Sequence, residues 1–386
     1  MRIIIGTLFI FLFLTNCAQT SQEHLQKKLE TRTESDRSNV GDTLNGSIVL
    51  TGKMTLARAT HTATLLKNGK VLIAGGFAAS TFLSGAEIYD PSLKTFTSVE
   101  KMNFARSGHT ATLLPSGQVL IAGGYNGKYI SSTEIFDPET NMFSNGVEMN
   151  VARSGHTTTV LNNEKILFAG GVGVGWSFLQ SAELYSLKTK TFTLIGSMIN
   201  ARESHTAILL NNVNVLISGG HKDRRDNIKI YSNSELYDPV SEKFKLIGNM
   251  HIIRHKHDAV KLTDGKILIT GGSDERDSEG AYTSAELYDP VTSAFKITAD
   301  MNITRYKHNG TSILLPGGNV LIAGGANQAE IYKPVSGEFS IVPGNMGTKR
   351  LFSCATLLQN GQVLITGGYN QNIEAGANAW LYISKY

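Results

Sequence analysis

Cysteine and long hydrophobic runs are scarce in this sequence. Cys17 and Cys354 are the only cysteines among 386 residues, so the multi-disulfide framework of small secreted domains is excluded. The longest apolar run covers residues 3–14, whereas a helix that spans a bilayer needs about 20 residues. Lysine and arginine are scattered although the formal net charge is +4, and this excludes the basic stripe of a nucleic-acid-binding protein.

The first seventeen residues have the pattern of an export signal. Met1 and Arg2 give a positive start, the apolar run follows, and Leu14-Thr-Asn16-Cys17 ends the segment. This ending resembles a lipobox, whose cysteine becomes the acylated first residue, with Asn16 where Gly, Ala or Ser is usual. The resemblance implies a signal peptide over residues 1–16 and membrane attachment through lipid on Cys17. A plain secretory signal with an incidental cysteine is the alternative.

Residues 17–45 are the least globular part of the chain. They are rich in Ser, Thr, Gln, Glu, Lys and Arg and contain few large apolar side chains. Such a segment buries too little apolar surface to form a core, so we expect a flexible polar tether. With a lipidated Cys17, the expected location is the cell envelope, at the outer membrane or the cell surface.

From residue 46 onward the sequence repeats itself. The first unit contains Met54, Arg58 and His61, then Thr-Ala-Thr-Leu-Leu, an Asn-Gly turn, Val-Leu-Ile-Ala, Gly75-Gly76, Ala-Glu-Ile-Tyr-Asp-Pro and a Phe. The opening methionine recurs at intervals of 45 to 52 residues. The seven copies are Met54, Met102, Met149, Met198, Met250, Met301 and Met346. A period near 50 with a Gly-Gly pair in each unit resembles the Kelch repeat.

The pattern inside each unit predicts four antiparallel strands. His-Thr-Ala-Thr-Leu-Leu alternates like a strand with two different faces, and Val-Leu-Ile-Ala is apolar throughout, like a strand buried on both faces. Asn-Gly and related dipeptides between them suit tight hairpins. The Ala-Glu-Ile-Tyr segment and the region of Phe96 supply the third and fourth strands. The sequence therefore predicts an all-β, seven-bladed β-propeller of four-stranded antiparallel blades over residues 46–386.

The two ends of the repeat region predict how the ring closes. The seventh unit ends in Ala379-Trp380-Leu-Tyr382, which aligns with the third strands of other units. Residues 48–54 align with residues 244–250, a fourth strand and its following methionine. We therefore expect the N-terminal strand to complete the last blade, which removes an exposed sheet edge.

Three residue types recur at fixed places in the units, and we interpret them as a structural network because catalysis needs one site rather than six copies. Each His is expected to bond a Glu, with the Arg bracing the blade junction. The alternative is that the arginines ring one mouth of the channel and bind an anionic partner. The network consists of Arg58, His61, Glu87, Arg106, His109, Glu134, Arg153, His156, Glu183, Arg202, His205, Glu235, Arg254, His257, Glu286, Arg305, His308 and Glu330. The seventh unit keeps Arg350 but has Ser353 and Trp380 in place of His and Glu.

Residues that do not repeat are concentrated in the loops of units three to five. These loops connect the second and third strands, and they share one face with the connections between blades, where sequence is free to vary. The candidate binding residues are Trp176, His221, Arg224, Arg225, His251, His255, Asp274 and Arg276. Trp176 is a candidate anchor for a partner. The three histidines could together hold a transition metal with Asp223 or Asp226, but no ligand-spacing motif supports such a site, and a charged solvated surface is the alternative.

The units are similar to Kelch repeats of galactose oxidase-like propellers, and this resemblance implies two kinds of function. Eukaryotic Kelch domains mostly bind proteins through the loop face, whereas the oxidases hold copper with tyrosines, histidines and a Tyr–Cys crosslink. No set of residues here matches that copper site, and Cys354 lies on a repeat strand, where we expect a buried small side chain.

We therefore expect a non-enzymatic binding module without a cofactor or a metal. We predict a monomer, tethered to a membrane outside the cytoplasm, that engages a protein or a glycan and no nucleic acid. Because fold alone does not decide function, a galactose oxidase-like or carbohydrate-active enzyme with an unrecognised site stays the alternative.

Overall fold

The computed structural model describes residues 46–224 and 227–385. The predicted signal peptide, Cys17 and the polar tether lie outside the described residues, and so does Arg225. Within the described ranges, no helix has the length and apolar character needed to cross a membrane.

Thirty-four strands and one short 3-10 helix, Val174–Trp176, make up the secondary structure of this part of the chain. The first half of the strands, in chain order, is β1 (Ser47–Lys53), β2 (Thr62–Leu65), β3 (Val71–Ala74), β4 (Phe77–Ala78), β5 (Thr81–Phe82), β6 (Ala86–Asp90), β7 (Thr95–Ser98), β8 (Thr110–Leu113), β9 (Val119–Ala122), β10 (Thr133–Asp137), β11 (Met142–Asn145), β12 (Thr157–Val160), β13 (Lys165–Ala169), β14 (Val172–Gly173), β15 (Ser177–Phe178), β16 (Ala182–Ser186) and β17 (Thr191–Leu194). The second half is β18 (Thr206–Leu209), β19 (Val215–Ser218), β20 (His221–Lys222), β21 (Lys229–Ile230), β22 (Asn233–Asp238), β23 (Lys243–Asn249), β24 (Asp258–Lys261), β25 (Ile267–Thr270), β26 (Ala285–Asp289), β27 (Ala294–Ile297), β28 (Ser312–Leu314), β29 (Val320–Ile322), β30 (Glu330–Lys333), β31 (Glu338–Ile341), β32 (Cys354–Leu357), β33 (Val363–Thr366) and β34 (Asn378–Ile383).

Seven of the sheets are four-stranded, and each is one blade of the propeller. Blades 1 to 6 each use consecutive strands of one repeat, and short hairpins such as β4–β5 extend the loops between second and third strands. The innermost strands β2, β8, β12, β18, β24, β28 and β32 contact one another in a ring around the channel. The predicted all-β, seven-bladed fold is confirmed.

Blade 7 is completed by the N-terminal strand, as the sequence predicted. Its order from the outer edge inward is β1, β34, β33, β32. Ile48 pairs with Tyr382 and Leu50 with Trp380 in an antiparallel ladder. The strand thus covers the edge of β34 and closes the ring.

The hydrophobic core lies between blades. The second strands are fully buried, as the Val-Leu-Ile-Ala segments predicted. One cluster joins Leu72 and Ile88 of blade 1 to Val119, Ile121 and Phe136 of blade 2, and equivalent clusters fill the other six junctions. Each blade is therefore stabilised by its two neighbours.

The Gly-Gly pair allows adjacent blades to approach closely. Gly75 and Gly76 both have positive φ, +64° and +106°. The Gly76 amide donates to the carbonyl of Arg106 in the next blade at 2.8 Å, and a Cβ on Gly75 would lie 2.6 Å from that carbonyl oxygen. Only glycine combines this conformation with this contact.

Candidate functional site

The recurring arginines and glutamates form buried ion pairs inside the blades. Arg58 and Glu87 are fully buried, and their side chains meet at 2.7 Å. The Arg58 guanidinium also donates to the carbonyl of Gly75 at 2.7 Å, while Glu87 accepts from the amides of Thr55 and Leu56 in the incoming connection. The same pair recurs in blades 2 to 6. These six arginines are inaccessible, so the alternative that they ring the mouth and bind an anion is wrong for them.

The expected bond between His and Glu is also wrong, because the glutamate is already occupied by arginine. Each repeat histidine reaches into the preceding blade instead. His109 Nε2 lies 3.1 Å from the hydroxyl of Thr62. Burial lowers the pKa of His109 to about 3, so the ring is neutral. The other five histidines bond a threonine of the preceding blade in the same way.

Blade 7 replaces the ion pair with an aromatic contact. Trp380 stands in the position of the glutamate, and the Arg350 guanidinium lies 4.7 Å from the centre of its ring. Arg350 is buried and donates to the carbonyl of Met346 at 3.1 Å. Burial lowers the pKa of this guanidinium. A cation–π contact thus takes the place of a carboxylate in this blade.

A ring of backbone hydrogen bonds, which we call the collar, surrounds the channel at its loop-face end. Its residues directly precede the six repeat histidines and Ser353, and all seven have φ between +51° and +63°. In six of the seven steps an amide donates to the carbonyl of a neighbouring collar residue, for example Lys307 to Lys256 at 2.8 Å. The collar residues are Thr60, Gly108, Gly155, Ser204, Lys256, Lys307 and Phe352. Since the inner strands begin just after them, the collar marks the mouth of the channel.

On blades 2 and 3 the mouth carries an aromatic sector formed by Tyr125, Tyr129 and Trp176. The Trp176 ring centre lies 6.0 Å from that of Tyr125 and 5.7 Å from that of Tyr129. Trp176 is 46% exposed and has φ +63°. Its two tyrosine neighbours hold a large, partly apolar side chain at the surface, as in the anchor residues of binding interfaces.

Charged and imidazole side chains continue this sector across blade 4. The Arg224 guanidinium lies over the Trp176 ring at 4.9 Å and donates to Glu203 at 3.0 Å. Burial raises the pKa of Glu203, and the nearby Arg224 and Lys256 oppose that rise. The backbones of Glu203 and His221 pair with each other, which fixes the carboxylate beside the imidazole.

His221 and His255 form a buried pair at the centre of this region. Their Nδ1 atoms are 3.1 Å apart, so one ring donates and the other accepts. Burial lowers the pKa of His221 to about 2, with His255 adding to the effect. Burial also lowers the pKa of His255, to about 3. Both rings are neutral near pH 7.

Blades 5 and 6 carry a cationic sector formed by Lys256, Asp277 and Lys307. Asp277 accepts from the Lys256 ammonium at 2.6 Å and lies 3.2 Å from that of Lys307. Burial would raise the pKa of Asp277, but the two ammonium groups outweigh it and lower the pKa to about 2. Lys307 also lies over the rings of Tyr306 and Tyr369, at 4.9 and 5.8 Å.

The predicted binding residues fall into two groups. Trp176, His221, Arg224 and His255 are brought together at the mouth. His251 is elsewhere: its Nδ1 lies 3.0 Å from the buried Glu286 of its own blade. The structure therefore does not assemble the three histidines into one site, and no group of three or more metal-binding side chains occurs among residues 46–224 and 227–385.

Asp274 and Arg276, also predicted to bind, engage each other in the loop of blade 5. The Arg276 guanidinium donates to the Asp274 carboxylate at 2.6 Å, and the Arg276 amide donates to the same group at 2.9 Å. These contacts stabilise the loop conformation. Whether the pair also contacts a partner stays a prediction.

Sequence reasoning missed the charged residues Glu203, Lys256, Asp277 and Lys307. A signal for the lysines was present in the alignment of the repeats. The two positions between each repeat arginine and the following repeat histidine vary from unit to unit, and the second of them holds lysine in units five and six. Variation inside an otherwise regular repeat is expected where function differs between blades.

A cleft of about 350 Å³ lies between the loops of blades 6 and 7. It is lined by Asn327, Thr348, Lys349, Asn370, Gln371 and Asn372. One lining residue, Asn370, directly follows Tyr369, whose ring contacts the Lys307 ammonium. Its amide groups can donate and accept hydrogen bonds.

Two comparisons with known proteins bear on this fold. The Kelch motif family matches residues 58–103 and 105–150. A solved structure described as a fungal alcohol oxidase of the AA5 family, in complex with copper, superposes with a TM-score of 0.68 and 15% sequence identity, covering 88% of this chain and 76% of that one. No curated protein matches the sequence. At this identity the likeness to the oxidase shows the fold alone.

The residues at the mouth do not fit the copper site that the galactose oxidase resemblance implies. His221 and His255 bond each other through their Nδ1 atoms, and within the described ranges no group of three or more His, Cys, Asp or Glu side chains is arranged to hold a metal ion. Cys354, which a Tyr–Cys crosslink would require, lies on the inner strand of blade 7 and donates to the carbonyl of His61. Burial raises the pKa of its thiol to about 12.

Proposed function

Because this chain is a Kelch-repeat β-propeller, we propose that it is a non-enzymatic binding module that holds a protein or a glycan at the channel mouth, on the loop face of blades 3 to 5. The aromatic sector is the observation that carries this proposal. Trp176 is 46% exposed and is braced by Tyr125, Tyr129 and Arg224. Large rigid side chains of this kind supply most of the energy in many interfaces.

The charged residues beside the aromatic sector support a specific partner rather than nonspecific adhesion. Hydrogen-bond donors and acceptors form one continuous set of contacts here. It runs from Arg224 through Glu203, His221, His255 and Asp277 to the two collar lysines. Polar groups held in fixed positions reject ligands that cannot satisfy them.

The test is ligand capture with a matched pair of variants. Trp176→Ala should reduce partner recovery at least tenfold, because truncation of a central anchor typically costs ~2 kcal/mol or more. Val240→Ala is the control, since Val240 is 87% exposed in a turn between third and fourth strands, at the opposite end of the blade. Equal loss in both variants, or loss in neither, would refute the binding face.

We further propose that the module is exported and tethered through lipid on Cys17. The pattern of residues 1–17 supports this proposal. Metabolic labelling with a fatty acid should mark the wild-type chain and leave Cys17→Ser unlabelled and released from membranes. Membrane retention of Cys17→Ser without label would contradict lipid anchoring.

A carbohydrate-active enzyme is the second candidate, and Glu203 is the observation in its favour. Burial raises the pKa of this carboxyl, and a perturbed acid in a recessed mouth is a common feature of catalytic sites. Any glycan that binds should be incubated with wild type and with Glu203→Gln. Products that form only with the wild-type protein would establish an enzyme. A glycan that stays unchanged with both proteins would support the binding module instead.

A further inference from the structure

Lysine at two collar positions is not required by the backbone. All seven collar residues have positive φ, and glycine, which adopts this conformation without strain, occupies the position in blades 2 and 3. A non-glycine residue there costs about 1 kcal/mol or more. Lys256 and Lys307 have φ of +54° and +53°. Strained residues cluster at functional sites, and here the strain places two ammonium groups in the mouth.

The two lysines carry more positive charge than their surroundings neutralise. Their side chains are 18% and 15% exposed, and both contact the single carboxylate of Asp277. Glu203, whose charge also acts on Lys256, is bonded to Arg224. Among the described residues, Arg224, Lys256 and Lys307 therefore face two carboxylates, and His221 and His255 are neutral. Burial and the neighbouring Lys307 lower the pKa of Lys256, as expected for an ammonium group that has lost hydration without full pairing. Burial would also lower the pKa of Lys307, but Tyr369 and Asp277 outweigh it and raise that pKa, so the deficit of negative charge falls on Lys256.

The surroundings of the lysines indicate what kind of anion would enter. One uncompensated charge matches a carboxylate better than a doubly charged phosphate group. The ring centres of Tyr306, Phe352 and Tyr369 lie within 6 Å of the Lys307 ammonium, so an anion bound to this lysine would lie beside aromatic rings. Asn370, the residue after Tyr369, lines the cleft between the loops of blades 6 and 7, and amide groups hydrogen-bond the hydroxyls of a sugar chain.

We propose that Lys256 and Lys307 bind the carboxylate of an acidic sugar, with the rest of the glycan lying along the cleft between blades 6 and 7. This inference rests on the proposed binding function and names its ligand class. Asp277 holds the two ammonium groups together and competes with the ligand for them.

The probe is a short oligogalacturonate, compared with its methyl ester, in which the charge is removed and the ring kept. Calorimetry with the purified full-length protein at physiological salt should give binding of the acid at least tenfold tighter than of the ester. Lys256→Gln and Lys307→Gln should each weaken binding of the acid about tenfold. Lys222→Gln is the matched control, because this lysine is 43% exposed on the loop face outside the cationic sector.

A second variant separates loss of the site from loss of the fold. Asp277→Asn removes the competing carboxylate and should tighten binding of the acid several-fold, a gain that unfolding cannot produce. Weaker binding by Asp277→Asn, or equal binding of acid and ester, would overturn the anion site.

Two further outcomes distinguish this inference from the proposed function. An acidic peptide that binds through the lysines while the oligosaccharide does not would overturn the sugar assignment. Absence of any anion binding would also overturn it, yet sensitivity of partner capture to Trp176→Ala would still support the binding module.

Discussion

Acid should unfold this propeller at an unusually mild pH, because its structure buries neutral histidines in every blade from 1 to 6. Burial lowers the pKa of all six repeat histidines and of the pair at the mouth, for example to about 3 for His205 and His308. In the unfolded chain the same rings titrate near pH 6.5. The unfolded state therefore binds more protons, and stability is full above pH 6.5 and falls as the pH drops below it.

The magnitude follows from the number of rings. Each buried neutral histidine removes ~1.4 kcal/mol of stability per pH unit below 6.5. Eight rings have lowered pKa values, so about 11 kcal/mol is lost by pH 5.5. A typical domain has about 5–15 kcal/mol in total. The midpoint of acid unfolding is expected between pH 5 and 6.

Guanidinium denaturation at several pH values, followed by tryptophan fluorescence, measures this loss. The glutamine in His109→Gln cannot become charged, so this variant should take up one proton fewer than the wild type when it unfolds in acid. A free energy of unfolding that is the same at pH 7 and pH 5, or an uptake of fewer than two protons, would refute the argument.

Three other predictions concern the fold. Glu134→Gln should cost about 3–5 kcal/mol of stability, since it leaves the buried Arg106 without a carboxylate. Adding Arg106→Met should recover part of that loss, and additive losses in a thermal unfolding series would contradict the pairing. Deletion of Ser47–Lys53 should expose the edge of β34 and cause oligomerisation, seen by size-exclusion chromatography; a stable monomer would show that closure is dispensable. Cys354, whose burial raises the thiol pKa to about 12, should resist alkylation at pH 8, as measured by mass spectrometry, and react in guanidinium.

The sequence was sufficient to predict the ring and its closure, because a repeat shows directly which residues are equivalent. It was not sufficient to predict which residues pair. His and Glu disappear together from unit seven, and this suggested a bond between them. In the structure Glu87 binds Arg58, and the histidines bond threonines of the preceding blade. Aligning the repeats shows which positions are equivalent, but it does not show which of those positions are close to one another in space.

The sequence also contains a compensating change between repeats, which the structure explains. In units one to four, the threonine directly after the repeat histidine bonds the histidine of the next unit. Units five and seven have Asp258 and Cys354 at this position. In these units alone the second strand ends in threonine, Thr270 and Thr366, directly opposite those positions. Thr270 bonds His308 and Thr366 bonds His61. In these two units the hydroxyl is supplied by the second strand instead of the first, and the hydrogen bond to the histidine of the next blade is retained.

The mouth was harder to predict because its parts come from six blades. Trp176 and Arg224 were chosen for their place in long loops, and they do contact each other. Their neighbours Tyr125 and Tyr129 lie in a short loop with no unusual composition. Lys307 meets Asp277 from the preceding blade only because the ring brings their loops together.

The closing strand also determines how the molecule would carry a mechanical load. Ser47 begins β1 and Lys53 ends it just before the connection on the loop face, so Ser47 lies at the opposite end of the blade. A pull transmitted through the residues before Gly46, against a partner held at the mouth, would act along β1. Its hydrogen bonds to β34 would then be loaded side by side in shear instead of being peeled apart one at a time. The pairing of β1 with β34 would therefore resist such a pull more strongly than a pull that separates the two strands from one end.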